Sequence, residues 1–219
     1  MDKAIFDEMI ATRRHLHTIP EEGWTEFQTT YLVAQRLKEL GYTDIRLGTQ
    51  IINPKAVLGR NAETVQKAIN RAEAAGVPHE FIEKIEGYTG CVAVFNTGRP
   101  GPVTAFRFDM DCNPVEETDD PDHAPNRQGF RSTHPGMMHA CGHDAHTALG
   151  LAVARWIMEH KDELKGTFKL VYQPAEEGVR GAVAIVGSGI LDDVDIIVGS
   201  HCGGKVKLGE VGLIHKGIL

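Results

Sequence analysis

Apolar side chains recur at helical spacing through the first third of the chain. The spacing predicts helices over residues 3–17, 24–40 and 61–75. Gly41 follows the second of these segments as a stop signal, and Asn61 stands where the third would begin. We therefore expect a helical N-terminal region that packs its apolar faces against the rest of the molecule.

The pattern changes to short apolar runs after residue 89. Residues 90–95 predict a strand, residues 96–101 a turn and residues 103–108 the returning strand. After a polar loop at 113–135, the pattern predicts a helix over 145–160, a strand over 167–172, a helix over 181–190, and strands over 194–199 and 206–219.

Strands and helices alternate from residue 103 to residue 201, which favours an α/β domain. The predicted architecture is a largely parallel mixed sheet flanked by helices. Sheets of this kind place their sites beyond the carboxyl ends of their strands. This rule predicts where functional side chains should gather, independently of any motif.

Composition and charge narrow the classes of function. The chain has 219 residues, of which 42% are hydrophobic and 24% charged, as in ordinary globular proteins. A net charge of -7 without a run of Lys or Arg disfavours nucleic-acid binding. The N-terminus lacks the apolar segment of a signal peptide, and no apolar stretch could span a membrane. The four cysteines show no paired spacing, so we expect free thiols and a cytoplasmic location.

Side chains that bind divalent metals are concentrated in residues 137–146, just before a predicted helix. Cys141 and His143 are separated by one residue, so both can face one ion. The positive end of the helix dipole should favour the thiolate form of the cysteine. The segment therefore predicts a metal site at a helix N-terminus.

Further ligand types follow the ends of three predicted strands. Asp109 and Asp111 follow the strand at 103–108, Glu176 and Glu177 follow the strand at 167–172, and His201 follows the strand at 194–199. Each residue alone has a simpler interpretation, such as a turn cap, a solvated acidic pair or a buried cysteine. Their convergence at one edge of the sheet favours a shared site.

The residue types suggest a division of roles. Glu176 and Glu177 are adjacent and cannot point the same way along an extended chain, so one can hold metal while the other acts as general base. His201 supplies a further nitrogen ligand, and Asp111 can orient a metal-binding imidazole. His139 and His146 are left outside the ligand set, His17 is placed on the surface or at a helix end, and Cys202 is taken as inert.

Four motifs occur in order along the chain. They are RRHLH at 13–17 with Pro20 and Glu21, RFDMD at 107–111, MHACGHDAH at 138–146 and QPAEEG at 173–178. Together they resemble the M20 metallopeptidases, in the branch of N-acyl-amino-acid amidohydrolases, over essentially the whole chain. A helical insert at about 54–88 and the stretch TGRPGPV at 97–103 resemble the A-type chains of aminobenzoyl-glutamate hydrolases.

The resemblance implies a metal-dependent hydrolase that cleaves p-aminobenzoyl-glutamate, a folate breakdown product, to p-aminobenzoate and glutamate. It implies two divalent ions, Mn²⁺ or Zn²⁺, bound by Cys141, His143, Glu177 and His201, with Glu176 as general base. It also implies a small-molecule substrate, and a B subunit or a second copy of the chain as partner.

The family also has a further histidine ligand and an inserted lid and dimerisation domain. The resemblance therefore predicts that residues 1–219 form the N-terminal part of the catalytic domain, with an incomplete metal site and without the lid. Two alternatives stay open. The chain is either an inactive remnant or split-protein fragment that keeps a partial site, or an amidohydrolase of broader, hippurate-like specificity.

Overall fold

The computed structural model describes residues 2–203, 207, 209, 210 and 212. Its helices are α1 (Lys3–Thr18), α2 (Phe27–Glu39), α3 (Ala62–Ala74), α4 (His79–Lys84), α5 (Ala124–Gln128), α6 (His143–Glu159) and α7 (Gly181–Val186). Its strands are β1 (Asp44–Leu47), β2 (Cys91–Asn96), β3 (Val103–Asp109), β4 (Thr167–Gln173) and β5 (Ile196–Gly199). Short 3-10 turns lie at Gly48–Gln50 and Pro54–Ala56.

The five strands form one mixed sheet in the order β1-β2-β4-β3-β5. β2 is antiparallel to both of its neighbours, whereas β3 is parallel to both β4 and β5. The inner strands are buried, as Val92, Ala105 and Leu170 show. The predicted mixed sheet flanked by helices is confirmed. Its parallel half brings the carboxyl ends of β3, β4 and β5 to one edge.

Helix α6 packs against β3 and β4 and also contacts α1 and α2. Gly150 allows the close approach, because a Cβ there would lie 2.7 Å from a Phe108 ring carbon and 2.8 Å from a Tyr172 ring carbon. Gly142 precedes the helix with a φ of 82°, a left-handed conformation that glycine adopts at little cost. The helix start is thereby turned toward the edge where the parallel strands end.

The helical insert at 54–88 contains a 3-10 turn, α3 and α4. The Asn61 side chain accepts a hydrogen bond from the Thr64 amide and so caps α3. Val65, Ala68 and Ala72 form the buried face of this helix, which packs against α2. The predicted third helix is confirmed with its cap.

The strand pair predicted at 90–108 does not form a hairpin. β4 lies between β2 and β3 and pairs with both. The intervening turn passes beside the start of β4, where the Thr97 amide donates to the Gly166 carbonyl at 3.1 Å. A Cβ on Gly101 would come within 2.7 Å of the Gly166 nitrogen. The turn is therefore a crossing over a third strand, which local sequence does not reveal.

Other elements differ in extent from the sequence prediction. β1 was not predicted, because its short sequence, DIRL, includes two charged residues and lacks alternation. The polar loop at 113–135 contains α5, and α7 ends at Val186. The strand predicted over 206–219 lies outside the described residues. Among the residues described, no helix is long and apolar enough to cross a bilayer.

Candidate metal centre

The six residues predicted to form the site meet at the carboxyl edge of the parallel strands. Asp111 follows β3, Glu176 and Glu177 follow β4, and His201 follows β5. Cys141 and His143 lie at the start of α6, which spans β3 and β4. The fold explains the convergence, because three neighbouring parallel strands end side by side.

Sulfur and nitrogen donors form the first group. One potential ligand atom from each of Cys141, His143 and His201 lies within 4.8 Å of the other two. The Cys141 Sγ lies 3.3 Å from His201 Nε2. This separation suits two atoms that share one cation.

Carboxylate donors form the second group, which contains His143, Glu176 and Glu177, with ligand atoms again within 4.8 Å. His143 Nε2 lies 3.8 Å from Glu176 Oε2 and 4.0 Å from Glu177 Oε1. Because His143 belongs to both groups, the two sets of donors are contiguous. The arrangement has room for more than one ion.

Two atoms at the centre of these groups are buried without a hydrogen-bond partner among the described residues. They are His143 Nε2 and Glu177 Oε1. A buried polar atom without a partner costs on the order of 1–3 kcal/mol. A divalent cation between them would satisfy both, and sulfur, imidazole nitrogen and carboxylate oxygen are the donors that zinc-like ions prefer. The residues therefore fit the metal that the sequence implies.

Asp111 connects the two groups from behind. It is fully buried, and His143 Nδ1 donates to its carbonyl oxygen at 2.9 Å and lies 3.2 Å from its Oδ1. Its Oδ2 accepts from the Glu177 amide at 2.9 Å. Burial lowers the pKa of His143, but the Asp111 carboxylate outweighs it and raises that pKa overall. Asp111 thus directs the free nitrogen of His143 toward the other donors.

Glu176 is the more exposed carboxylate, with a side chain that is 34% exposed. Burial, followed by the charge of Asp109, raises its pKa, while His143 and Arg107 oppose the rise. The Arg107 guanidinium lies 3.8 Å from Glu176 Oε1. A carboxylate with a raised pKa, beside the donors and open to solvent, is placed to exchange protons with water.

Cys141 differs from the sequence expectation in its acidity. Burial, followed by the charge of Glu177, raises the pKa of its thiol to about 12. The helix dipole was expected to act the other way, but α6 begins two residues later, at His143. A bound divalent cation is the charge that would favour the thiolate here.

His146 and Cys202 belong to the surroundings of the site, which the sequence prediction did not include. The Cys202 amide donates to His146 Nε2 at 3.0 Å, and His146 Nδ1 lies 3.3 Å from Asp109 Oδ2. His146 therefore holds the segment that carries His201. Cys202 is exposed, and its Sγ clusters with the ring atoms of His146 and His201. Its position directly after His201 was the available signal.

His17 lies at the end of α1, as expected, but it is buried rather than on the surface. Its Nδ1 is 2.8 Å from Asp144 Oδ2, and its Nε2 is 3.0 Å from Glu117 Oε1. The Arg13 Nε also contacts Asp144 Oδ2, at 2.8 Å. The RRHLH motif therefore supports the residue next to His143 from α1.

Comparison with known proteins matches this arrangement to a family. The model of peptidase family M20/M25/M40 matches residues 105–215, just over half of the 219. The chain is 50% identical, over 94% of its length, to an A-chain homolog of p-aminobenzoyl-glutamate hydrolase from Haemophilus influenzae. It is 46% identical, over 95% of its length, to an indole-3-acetyl-aspartic acid hydrolase of Enterobacter agglomerans. In each case the chain spans 48% of the relative's length.

Solved structures give the same picture. An aminobenzoyl-glutamate utilization protein from Klebsiella pneumoniae matches with a TM-score of 0.74 and 36% identity, over 92% of this chain and 45% of its own. The Bacillus subtilis YXEP protein, described as a dinuclear metal-binding peptidase of the M20 family, matches with a TM-score of 0.69 and 30% identity. That match covers 93% of this chain and 45% of the other.

Proposed function

The chain belongs to peptidase family M20/M25/M40, and from this premise we propose that it cleaves p-aminobenzoyl-glutamate to p-aminobenzoate and glutamate. The observation that carries the proposal is the pair of donor groups that share His143 beside the raised-pKa carboxylate of Glu176. The chain spans about half the length of the relatives it matches, so the proposed activity is that of the whole protein.

We propose that Cys141, His143, Glu177 and His201 hold two divalent ions, Mn²⁺ or Zn²⁺. The mixed sulfur, nitrogen and oxygen donors and the two unsatisfied buried atoms support this assignment. When bound, such ions polarise an amide carbonyl and lower the pKa of water. The Bacillus subtilis neighbour, described as dinuclear, supports the number two.

Glu176 is the proposed general base. Its carboxylate takes a proton from the attacking water and returns it to the departing amine nitrogen. The raised pKa suits both transfers, because the group can be charged before the attack and protonated after it. Asp111 keeps His143 and the Glu177 backbone in register with this carboxylate.

Substrate choice rests on the relatives. The relative that is 50% identical is named for p-aminobenzoyl-glutamate, in which an aromatic acyl group is joined to an acidic amino acid. The relative at 46% is named for indole-3-acetyl-aspartic acid, which has the same two parts. This small difference in identity favours a second candidate, an amidohydrolase of broader specificity for N-acylated amino acids.

The two candidates are separated by comparing kcat/KM for p-aminobenzoyl-glutamate, indole-3-acetyl-aspartate and hippurate, with added Mn²⁺. The first candidate predicts the highest value for p-aminobenzoyl-glutamate and little cleavage of hippurate. Comparable values for all three substrates would support the broader enzyme. Cleavage of none of them would contradict both.

We further propose that the protein works beside a second, different polypeptide in the cytoplasm. The Haemophilus influenzae relative is named as one lettered component of its hydrolase, which supports the partner. All four cysteines are free thiols, as a reducing compartment would maintain them. Co-purification of the chain with a second polypeptide from its native cells would test the partnership.

A further inference from the structure

Glu26 is a fully buried glutamate directly before α2, and its side chain does not cap that helix. Instead, its Oε1 accepts a hydrogen bond from the Ala175 amide at 2.8 Å. Its Oε2 accepts from the Thr89 hydroxyl at 2.6 Å. A group that is costly to bury is therefore committed to the backbone next to Glu176.

The Ala175 peptide adopts a conformation that needs such support. Its φ is +51°, in the left-handed region that non-glycine residues rarely occupy. On the other side, its carbonyl accepts from the Gly181 amide at 2.8 Å. Gly23 packs so closely that an added Cβ would lie 2.9 Å from Ala175 Cα. Hydrogen bonds and packing together hold the turn.

Two buried carboxylates flank Glu176 through the backbone. Glu26 binds the amide of the residue before it, and Asp111 binds the amide of the residue after it, Glu177, at 2.9 Å. Between these two anchors, the only rotations left to aim the Glu176 and Glu177 side chains are a few local torsions. The direction of both carboxylates relative to His143 therefore depends on both anchors.

We propose that Glu26 is a positioning residue of the hydrolytic site. Through the Ala175 amide it holds the turn from which Glu176 and Glu177 face His143. The inference rests on the proposed function, since it assigns Glu26 to the same site. It adds a residue that lies in a different element, more than 140 positions away in the chain.

Glu21 provides a matched control, because it is also fully buried and close in sequence. Its carboxylate accepts from the Gln28 amide at 3.2 Å and the Thr29 amide at 2.9 Å, both in the first turn of α2. Glu21 therefore stabilises a helix, whereas Glu26 reaches across to the site. Substitutions at the two positions should have different consequences.

The conservative variant is Glu26→Gln. Burial, followed by the charge of Asp111, raises the pKa of Glu26 to about 8, so the neutral carboxyl predominates at neutral pH. An amide has the shape of the neutral acid, keeps an oxygen for the Ala175 amide and can donate to the Thr89 hydroxyl. Glu26→Gln should thus rescue what an apolar residue loses.

The disruptive variant is Glu26→Met, which has a similar length but no strong acceptor. The first readout is hydrogen exchange of the Ala175 amide under native conditions, and the second is Mn²⁺ affinity by calorimetry. Glu26→Met should speed exchange and weaken Mn²⁺ binding, each by about 10-fold or more, the usual loss when such a support is removed. Glu26→Gln should resemble wild type in both. Glu21→Gln should lower the midpoint of thermal unfolding and leave both readouts unchanged.

Wild-type exchange and Mn²⁺ affinity in Glu26→Met would overturn the proposal. If that variant fails to fold, Glu26→Asp replaces it, because the shorter side chain cannot reach Thr89 and Ala175 together and should show the same losses. Failure of the wild-type chain to bind Mn²⁺ would contradict the proposed function instead. The exchange of Ala175 would still decide the positioning role, because it needs no metal.

Discussion

The two ring nitrogens of His143 have different partners, and this asymmetry organises the site. Nδ1 donates to Asp111, whereas Nε2 is buried with no hydrogen-bond partner among the described residues. Such an imidazole presents one lone pair in a fixed direction. Donors from Cys141, Glu177 and His201 lie around that direction, within the two groups that His143 shares.

At this scale the first prediction concerns the thiol. Cys141→Ala removes the sulfur that lies 3.3 Å from His201 Nε2, so the protein should lose bound metal after dialysis. Elemental analysis of the purified variant measures this. Cys91→Ala is the control, because Cys91 is buried in β2 and should keep the wild-type metal content. Full metal content in Cys141→Ala would remove the cysteine from the ligand set.

The second prediction separates proton transfer from metal binding. Glu176→Gln keeps the size of the side chain but removes the base, so metal content should be retained. Turnover should fall by about 10²–10⁴-fold, the range typical for a lost general base. Steady-state kinetics on metal-loaded protein measure the fall. Undiminished turnover would exclude Glu176 as the base.

The candidate site was predictable where chemistry is written in residue types. A cysteine, histidines and an acidic pair at strand and helix ends pointed to all six residues that the structure brings together. Glu26 and His146 were not predicted as parts of it. Their role depends on which distant backbone amide their side chains reach, Ala175 and Cys202 respectively, and no local pattern encodes that.

Among the elements, α1 and α6 are joined by a buried charged cluster centred on His17. Burial lowers the pKa of His17, but the Asp144 and Glu117 carboxylates outweigh it and raise that pKa above its ordinary value of 6.5. Arg13 also faces Asp144, and the ring of His139 lies 6.4 Å from that of His17. The cluster contributes most to stability while the His17 imidazolium is charged.

A raised folded-state pKa fixes the sign of the third prediction. The contribution of His17 is complete below its unfolded pKa and is lost as pH rises through its folded pKa. His17→Gln should therefore reduce the free energy of unfolding more at about pH 6 than at about pH 9. Urea denaturation at the two pH values measures this. His15→Gln, at a more exposed site on the same helix, should show no such dependence, and equal losses for His17→Gln would contradict the cluster's role.

The fourth prediction tests the contact between α6 and the sheet. In an open helix, Gly→Ala stabilises by about 1 kcal/mol. At Gly150 the new methyl would meet Phe108 and Tyr172 rings at 2.7–2.8 Å, so Gly150→Ala should instead destabilise by about 1–3 kcal/mol. Chemical denaturation gives the value. A gain in stability would show that the helix is not held this close.

Element types were largely predictable, because apolar periodicity reports which face of a segment is buried. The order of strands was not. The chain between β2 and β3 has the sequence of a tight turn, yet β4 inserts between them, since β3, α6 and β4 form a parallel crossover. Strand neighbours are decided by long-range packing, which a local pattern does not contain.

For the molecule as a whole, topology does what no single motif can. Three parallel strands in the order β4-β3-β5 end at one edge, and α6 begins there with Gly142 in a left-handed turn. Donors that are up to 60 residues apart in the chain are thereby placed within 4.8 Å of one another. The family's chemistry thus follows from the way the sheet is wound.

The central claim is metal-dependent amide hydrolysis at this edge, and release of p-aminobenzoate from p-aminobenzoyl-glutamate tests it most directly. The assay is run on protein treated with a chelator and again after Mn²⁺ is restored. We expect release to stop on chelation and to return with the metal. Release that survives complete metal removal, or no release by the metal-loaded protein, would contradict the account.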